Sequence, residues 1–176
     1  MNFNIPNSLT LLRIILIPII VVLFVSNEES NRFFVFLLFL IATITDYLDG
    51  LLARYMKQQT SFGEFLDPVA DKLLVIISLI LLISENQDVL FLIPVLIIIT
   101  REFLVIAIRQ RLAELGENVK LSVILISKIK TSLQLISILF LLYKFPILGY
   151  NTYWLGIMLL QISALLTLIS FFYYVK

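Results

Sequence analysis

Five of the six apolar stretches in this chain are too short to cross a bilayer, and each is closed by a charge. The charge-free runs 14–26, 33–45, 73–84, 89–100 and 131–143 hold 12 or 13 residues each. At about 1.5 Å of rise per residue, such a helix covers about 20 Å of a hydrocarbon layer about 30 Å thick. Helices that stop at those charges cannot cross, so the charged residues must lie inside longer helices. Only 154–175 reads as an uninterrupted span.

The six segments centre near residues 18, 40, 77, 97, 135 and 164, with polar, turn-forming breaks at 27–31, 56–63, 84–88, 116–120 and 145–151. Hydrophobic residues make up 61% of the chain, against roughly 45–50% in a soluble domain. The expectation is an all-α integral membrane protein, a bundle of six transmembrane helices forming one domain over residues 1–176. If successive helices alternate in direction, Arg13, Asp46, Lys72, Arg101 and Lys130 fall at one depth inside one leaflet. Charges there are costly unless they face a wet or liganded cavity. The bundle is therefore expected to hold a polar cavity. Every Lys and Arg except Arg32 and Lys144 falls on the side of the termini and of the second and fourth loops. The positive-inside rule puts that side, and the cavity, in the cytoplasm, with both termini inside. The first apolar run has no basic segment before it and no Ala-x-Ala site after it, so it is expected to stay as a helix.

A net charge of +1 argues against a nucleic-acid partner. Cysteine and histidine are absent, which removes thiolate chemistry and leaves acid–base work to carboxylates. Those carboxylates are concentrated in Asp46-x2-Asp49-Gly50-x2-Ala53-Arg54-x8-Gly63-x3-Asp67-x3-Asp71. Positions 46, 49, 50 and 53 share one helical face, and 67 and 71 share a face of the next helix. Acidic side chains converging from two helices repel unless cations lie between them, and oxygen ligands favour Mg2+, Mn2+ or Ca2+.

This eight-position pattern resembles the signature of the CDP-alcohol phosphatidyltransferases at every fixed residue, including the eight-residue spacer. Further stretches resemble the bacterial phosphatidylglycerophosphate synthases within that family. They are Asn4-Ile5-Pro6-Asn7-Ser8-Leu9-Thr10-x2-Arg13 with Pro18, Phe65-Leu66-Asp67-Pro68-Val69-Ala70-Asp71-Lys72, Arg101-Glu102 with Arg109, and Lys128-x-Lys130-Thr131. One departure is Ser127, where glycine is expected before the first lysine of the last motif.

The resemblance implies transfer of a phosphatidyl group from CDP-diacylglycerol to glycerol 3-phosphate, releasing CMP. It implies a bacterial inner membrane, membrane lipid as surroundings, and a homodimer. Asp46, Asp49, Asp67 and Asp71 would hold two divalent ions, Mg2+ or Mn2+, with Asp71 also the base for the attacking hydroxyl. Thr10, Gly50, Ala53, Arg54 and Gly63 would bind CDP-diacylglycerol. Arg101, Arg109, Lys128 and Lys130 would hold the phosphate of glycerol 3-phosphate, arginine as a bidentate fork and lysine as a point charge. Positions 128 and 130 cannot share a helical face, so those two lysines should part company. Other acceptors (serine, inositol phosphate, phosphatidylglycerol) would leave the CDP half unchanged. An ion transporter is the rival from another class, but no polar path crosses the opposite leaflet.

Overall fold

The computed structural model describes residues 5–26, 28–56, 61–114, 125–146, 149 and 151–175, with side chains except at 5–7, 29, 30, 47, 49–56, 61–65, 68, 109, 112, 113, 125–127 and 172–175. Among the described residues there are six helices and no strand: α1 (Ile5–Val25), α2 (Glu29–Met56), α3 (Ser61–Glu85), α4 (Val89–Glu114), α5 (Leu125–Tyr143) and α6 (Thr152–Val175). Each of the first five runs through the charge that closes its apolar run. Arg13 lies inside α1, Asp46 inside α2, Lys72 inside α3, Arg101 inside α4 and Lys130 inside α5.

Among the described residues three helices are long and apolar enough to cross a membrane: α1 over Ser8–Val25, α4 over Val89–Ile108 and α6 over Thr152–Phe171. Only the last of these was legible as an unbroken run. The other two qualify once charges are carried inside the helix, Arg13 in α1 and the Arg101–Glu102 pair in α4. Their outward surfaces suit lipid: Val22, Leu90, Leu96, Trp154, Met158 and Leu165 are all exposed, an arrangement that water would not favour on one small protein.

Several breaks are narrower than the sequence suggested. Asn31 lies in the first turn of α2, Ser61 and Gly63 already belong to α3, and Ser84 and Glu85 still do. Asp67 before Pro68 looks like an N-cap, yet it sits in the second turn of α3. The cap-like dipeptide is overridden because the apolar periodicity begins upstream of it. At α6 a side-chain cap does form, with Asn151 Oδ1 accepting the Tyr153 N–H at 2.9 Å. Lys144 closes α5 in the left-handed region at φ 57°, the conformation that ends many helices.

Contacts group the chain into two compact units, Met1–Leu82 with Leu142–Phe145, and Ile83–Leu141 with Pro146–Lys176. In the first, α1 packs along α2. Leu16, Ile17, Ile20 and Phe24 of α1 are buried, as are Val35, Phe39 and Ala42 of α2, the latter at i, i+4 and i+7. Arg32 stacks over the Phe24 ring at 4.4 Å. Burial, and then the nearby charge of Arg32, pull the Lys144 ammonium below the usual lysine range. The two basic residues that the sequence set apart from the rest are thus neighbours.

In the second unit α4 packs along α6, and α5 and α6 run antiparallel. Ser137 Oγ donates to the Gly156 carbonyl at 2.7 Å and Ser163 Oγ to the Lys130 carbonyl at 3.1 Å. Gly156 permits that approach, since a Cβ there would meet Leu141 Cγ at 2.7 Å. Small residues and hydroxyls at such contacts are how helices associate in lipid.

Candidate functional site

In the first unit, one face of α1 holds two of the signature aspartates. Thr10 and Arg13 lie three residues apart on α1, hence on one face, and both are buried. Thr10 Oγ1 donates to Asp67 Oδ1 of α3 at 2.5 Å. Arg13 pairs with Asp46 Oδ1 of α2 at 2.6 Å, the guanidinium fully buried and the carboxylate 36% exposed. Asp46 and Asp67 are also close enough to interact electrostatically. Carboxylates from α2 and α3 are therefore brought toward each other, and α1 supplies a partner for each.

Asp71, one turn beyond Asp67, is half-buried. The backbones of Asp49, Gly50, Ala53 and Arg54 lie in α2 and that of Gly63 in α3; their side-chain positions fall outside the described residues, as does the side chain of Arg109. Among the described residues no three acidic side chains form one ligand set. The donor chemistry nonetheless fits a hard divalent ion: the groups are all carboxylate oxygens, two of them within electrostatic reach of each other and each held by a neighbour on α1.

The second unit holds a cluster of the opposite sign. Glu102 Oε1 accepts from Arg101 NH1 at 3.0 Å and from Lys130 Nζ at 2.7 Å. Ser170 Oγ of α6 accepts from Arg101 NH2 at 3.2 Å and donates to the Thr167 carbonyl at 2.9 Å. Lys130 and Arg101 are buried whereas Lys128 is exposed, so the two lysines do part company. The thin apolar groove beside this cluster, about 290 Å3, runs along the α4–α6 seam with Arg101 in its wall. Arg111 pairs instead with Glu114 at 3.2 Å on the surface.

The family sequence model for CDP-alcohol phosphatidyltransferase matches residues 3–170. The chain belongs to that family. Full-length relatives agree. A protein of Haemophilus influenzae is 44% identical over 178 residues, covering 100% of this chain and 94% of its own. One of Wigglesworthia glossinidia brevipalpis is 42% identical over 174 residues, covering 99% and 94%. One of Escherichia coli (strain K12) is 40% identical over 176 residues, covering 100% and 95%. All three bear the name CDP-diacylglycerol–glycerol-3-phosphate 3-phosphatidyltransferase.

For this CDP-alcohol phosphatidyltransferase, sequence reasoning missed three partners. Nothing in the spacing of the sequence pairs Arg13 with Asp46. Nor does it show that Glu102 joins both Arg101 and Lys130. Ser163, Thr167 and Ser170 form a buried hydroxyl stripe on α6. Their i, i+4, i+7 spacing was the available signal, hidden inside a helix that looked like a plain anchor.

Proposed function

We propose that this chain transfers the phosphatidyl group of CDP-diacylglycerol to glycerol 3-phosphate, giving phosphatidylglycerol phosphate and CMP. The observation that carries the reading is the intact family signature in a chain whose full-length relatives bear this activity in their name. In this reading Asp46, Asp49, Asp67 and Asp71 hold the divalent ions, Mg2+ or Mn2+. When bound, such ions neutralise the diphosphate and the charge gathering on the departing CMP. Gly50, Ala53, Arg54 and Gly63 receive the CDP portion, and Thr10 serves it through Asp67. Arg101, Lys130 and Arg109 take the acceptor phosphate, and the exposed Lys128 adds only a solvent-screened charge at its edge.

The acceptor hydroxyl oxygen forms a new bond to the phosphorus that carries the diacylglycerol. The bond from that phosphorus to the CMP oxygen breaks, and the hydroxyl proton passes to Asp71. Asp71 is the only role here that asks one carboxylate to act as both ligand and base. A lipid substrate and a water-soluble dianion must meet, which suits a cavity in the cytoplasmic leaflet of a six-span, single-domain bundle. We place that bundle in the bacterial inner membrane, as a homodimer.

The test is acceptor choice. Purified protein with CDP-diacylglycerol should release CMP on adding glycerol 3-phosphate, and little with serine, inositol phosphate or phosphatidylglycerol. Release with serine but not with glycerol 3-phosphate would overturn the acceptor.

A further inference from the structure

The basic cluster of the second unit has an internal organiser. We propose that Glu102 is a positioning residue that sets Arg101 and Lys130 as one paired grip for the acceptor's phosphate, with Ser170 as its accessory; this rests on the acceptor reading above. Both cations reach the same atom, Glu102 Oε1, at 3.0 and 2.7 Å. Their nitrogens are thereby held close together although they come from α4 and α5. Two buried cations at that separation repel, and in a poorly solvated site the repulsion is strong. One shared carboxylate oxygen offsets it and leaves the cluster with a net positive charge.

The geometry of Arg101 is then fixed from both ends. NH1 is held by Glu102 and NH2 by Ser170 at 3.2 Å, while Ser170 is anchored on the Thr167 carbonyl. Lys130 is fixed through its backbone, whose carbonyl accepts from Ser163. Arg101 is 7% exposed, and its Nε is buried with no hydrogen-bond partner. Buried donors are almost always satisfied, so an open donor on a rigidly held guanidinium beside an ammonium asks for an anion with several acceptor oxygens. A phosphate monoester has them; an uncharged alcohol does not. Glu102 itself, with the most exposed side chain of the three at 14%, is the hinge on which the grip is set rather than a ligand for the phosphate.

The test is steady-state kinetics of the full chain in detergent–lipid micelles, varying glycerol 3-phosphate and CDP-diacylglycerol separately. Glu102→Gln keeps an acceptor oxygen but not the charge. It is expected to raise KM for glycerol 3-phosphate about tenfold, since small misplacements of a positioning group are costly. KM for CDP-diacylglycerol should stay unchanged and kcat should fall far less than the specificity for the acceptor. Ser170→Ala, which removes only the second hold on Arg101, should raise the same KM about threefold and keeps the question answerable if Glu102→Gln does not fold. Arg101→Gln is the control for the underlying reading. If it leaves KM for glycerol 3-phosphate unchanged, the acceptor assignment itself fails. If it raises that KM while Glu102→Gln and Ser170→Ala do not, the positioning role fails alone. A lowered KM in Glu102→Gln also overturns it, because the carboxylate would then be opposing the phosphate.

Discussion

Each unit of this protein buries an arginine against a carboxylate, but with opposite balance. Around Arg13 the acidic groups outnumber the base: Asp46 is paired with it, and Asp67, held by Thr10, lies close to Asp46. Around Glu102 the bases outnumber the acid, with Arg101 and Lys130 on one oxygen. Among the described residues the first arrangement holds more acid than base and the second more base than acid. Buried pairs are weak sources of stability, since desolvation consumes much of their attraction. Their surplus sign says more: under the proposed function the first would receive cations and the second an anion. The proposed transfer of a phosphatidyl group from a metal-bound diphosphate to a phosphorylated alcohol would use both.

The contrast breaks most visibly if the acidic side loses a member. Asp46→Asn or Asp67→Asn should cut CMP release at least about a hundredfold, the upper range seen when even the outer partners of metal ligands are lost. A smaller loss would mean that neither carboxylate is a ligand. On the basic side, Lys130→Ala should raise KM for glycerol 3-phosphate more than tenfold, while Lys128→Ala, an exposed position, should change it by less than about threefold. Equal effects would mean that burial does not distinguish the two lysines.

Thr10→Val should weaken Mn2+ binding, followed by electron paramagnetic resonance, about tenfold, and Thr10→Ser should restore it. An unchanged affinity would leave the Thr10–Asp67 bond with a purely structural role. Arg13→Gln should lower stability by about 2 kcal/mol, less than the loss of a fully buried pair because Asp46 is partly exposed. Thermal unfolding in detergent checks this, and Mg2+ should recover more of the melting temperature in the variant than in the parent. The smallest effect belongs outside both clusters. Gly156→Ala should cost about 1–2 kcal/mol through its clash with Leu141, with acceptor KM unchanged.

Much of this was legible beforehand, for identifiable reasons. Short runs ended by charges said that the helices must carry charge inward, and α1 to α5 do so. The incompatible faces of Lys128 and Lys130 said that one would turn away. What stayed hidden was which side chains meet. Thr10 and Asp67 are 57 residues apart, and Arg101 and Ser170 are 69 apart. Helical periodicity gives a residue's face but not the partner opposite it. Asp67-Pro68 misled locally because N-cap chemistry and helix-interior position differ only by what precedes them, and Ser61–Gly63 looked like loop.

We propose that carboxylates gathered by two helices use divalent cations to drive phosphatidyl transfer. The most direct test is CMP release from CDP-diacylglycerol and glycerol 3-phosphate in excess chelator, followed by readdition of Mg2+ or Mn2+. Release is expected to stop with chelator and to return with the ion. Undiminished release in the chelated sample would contradict it.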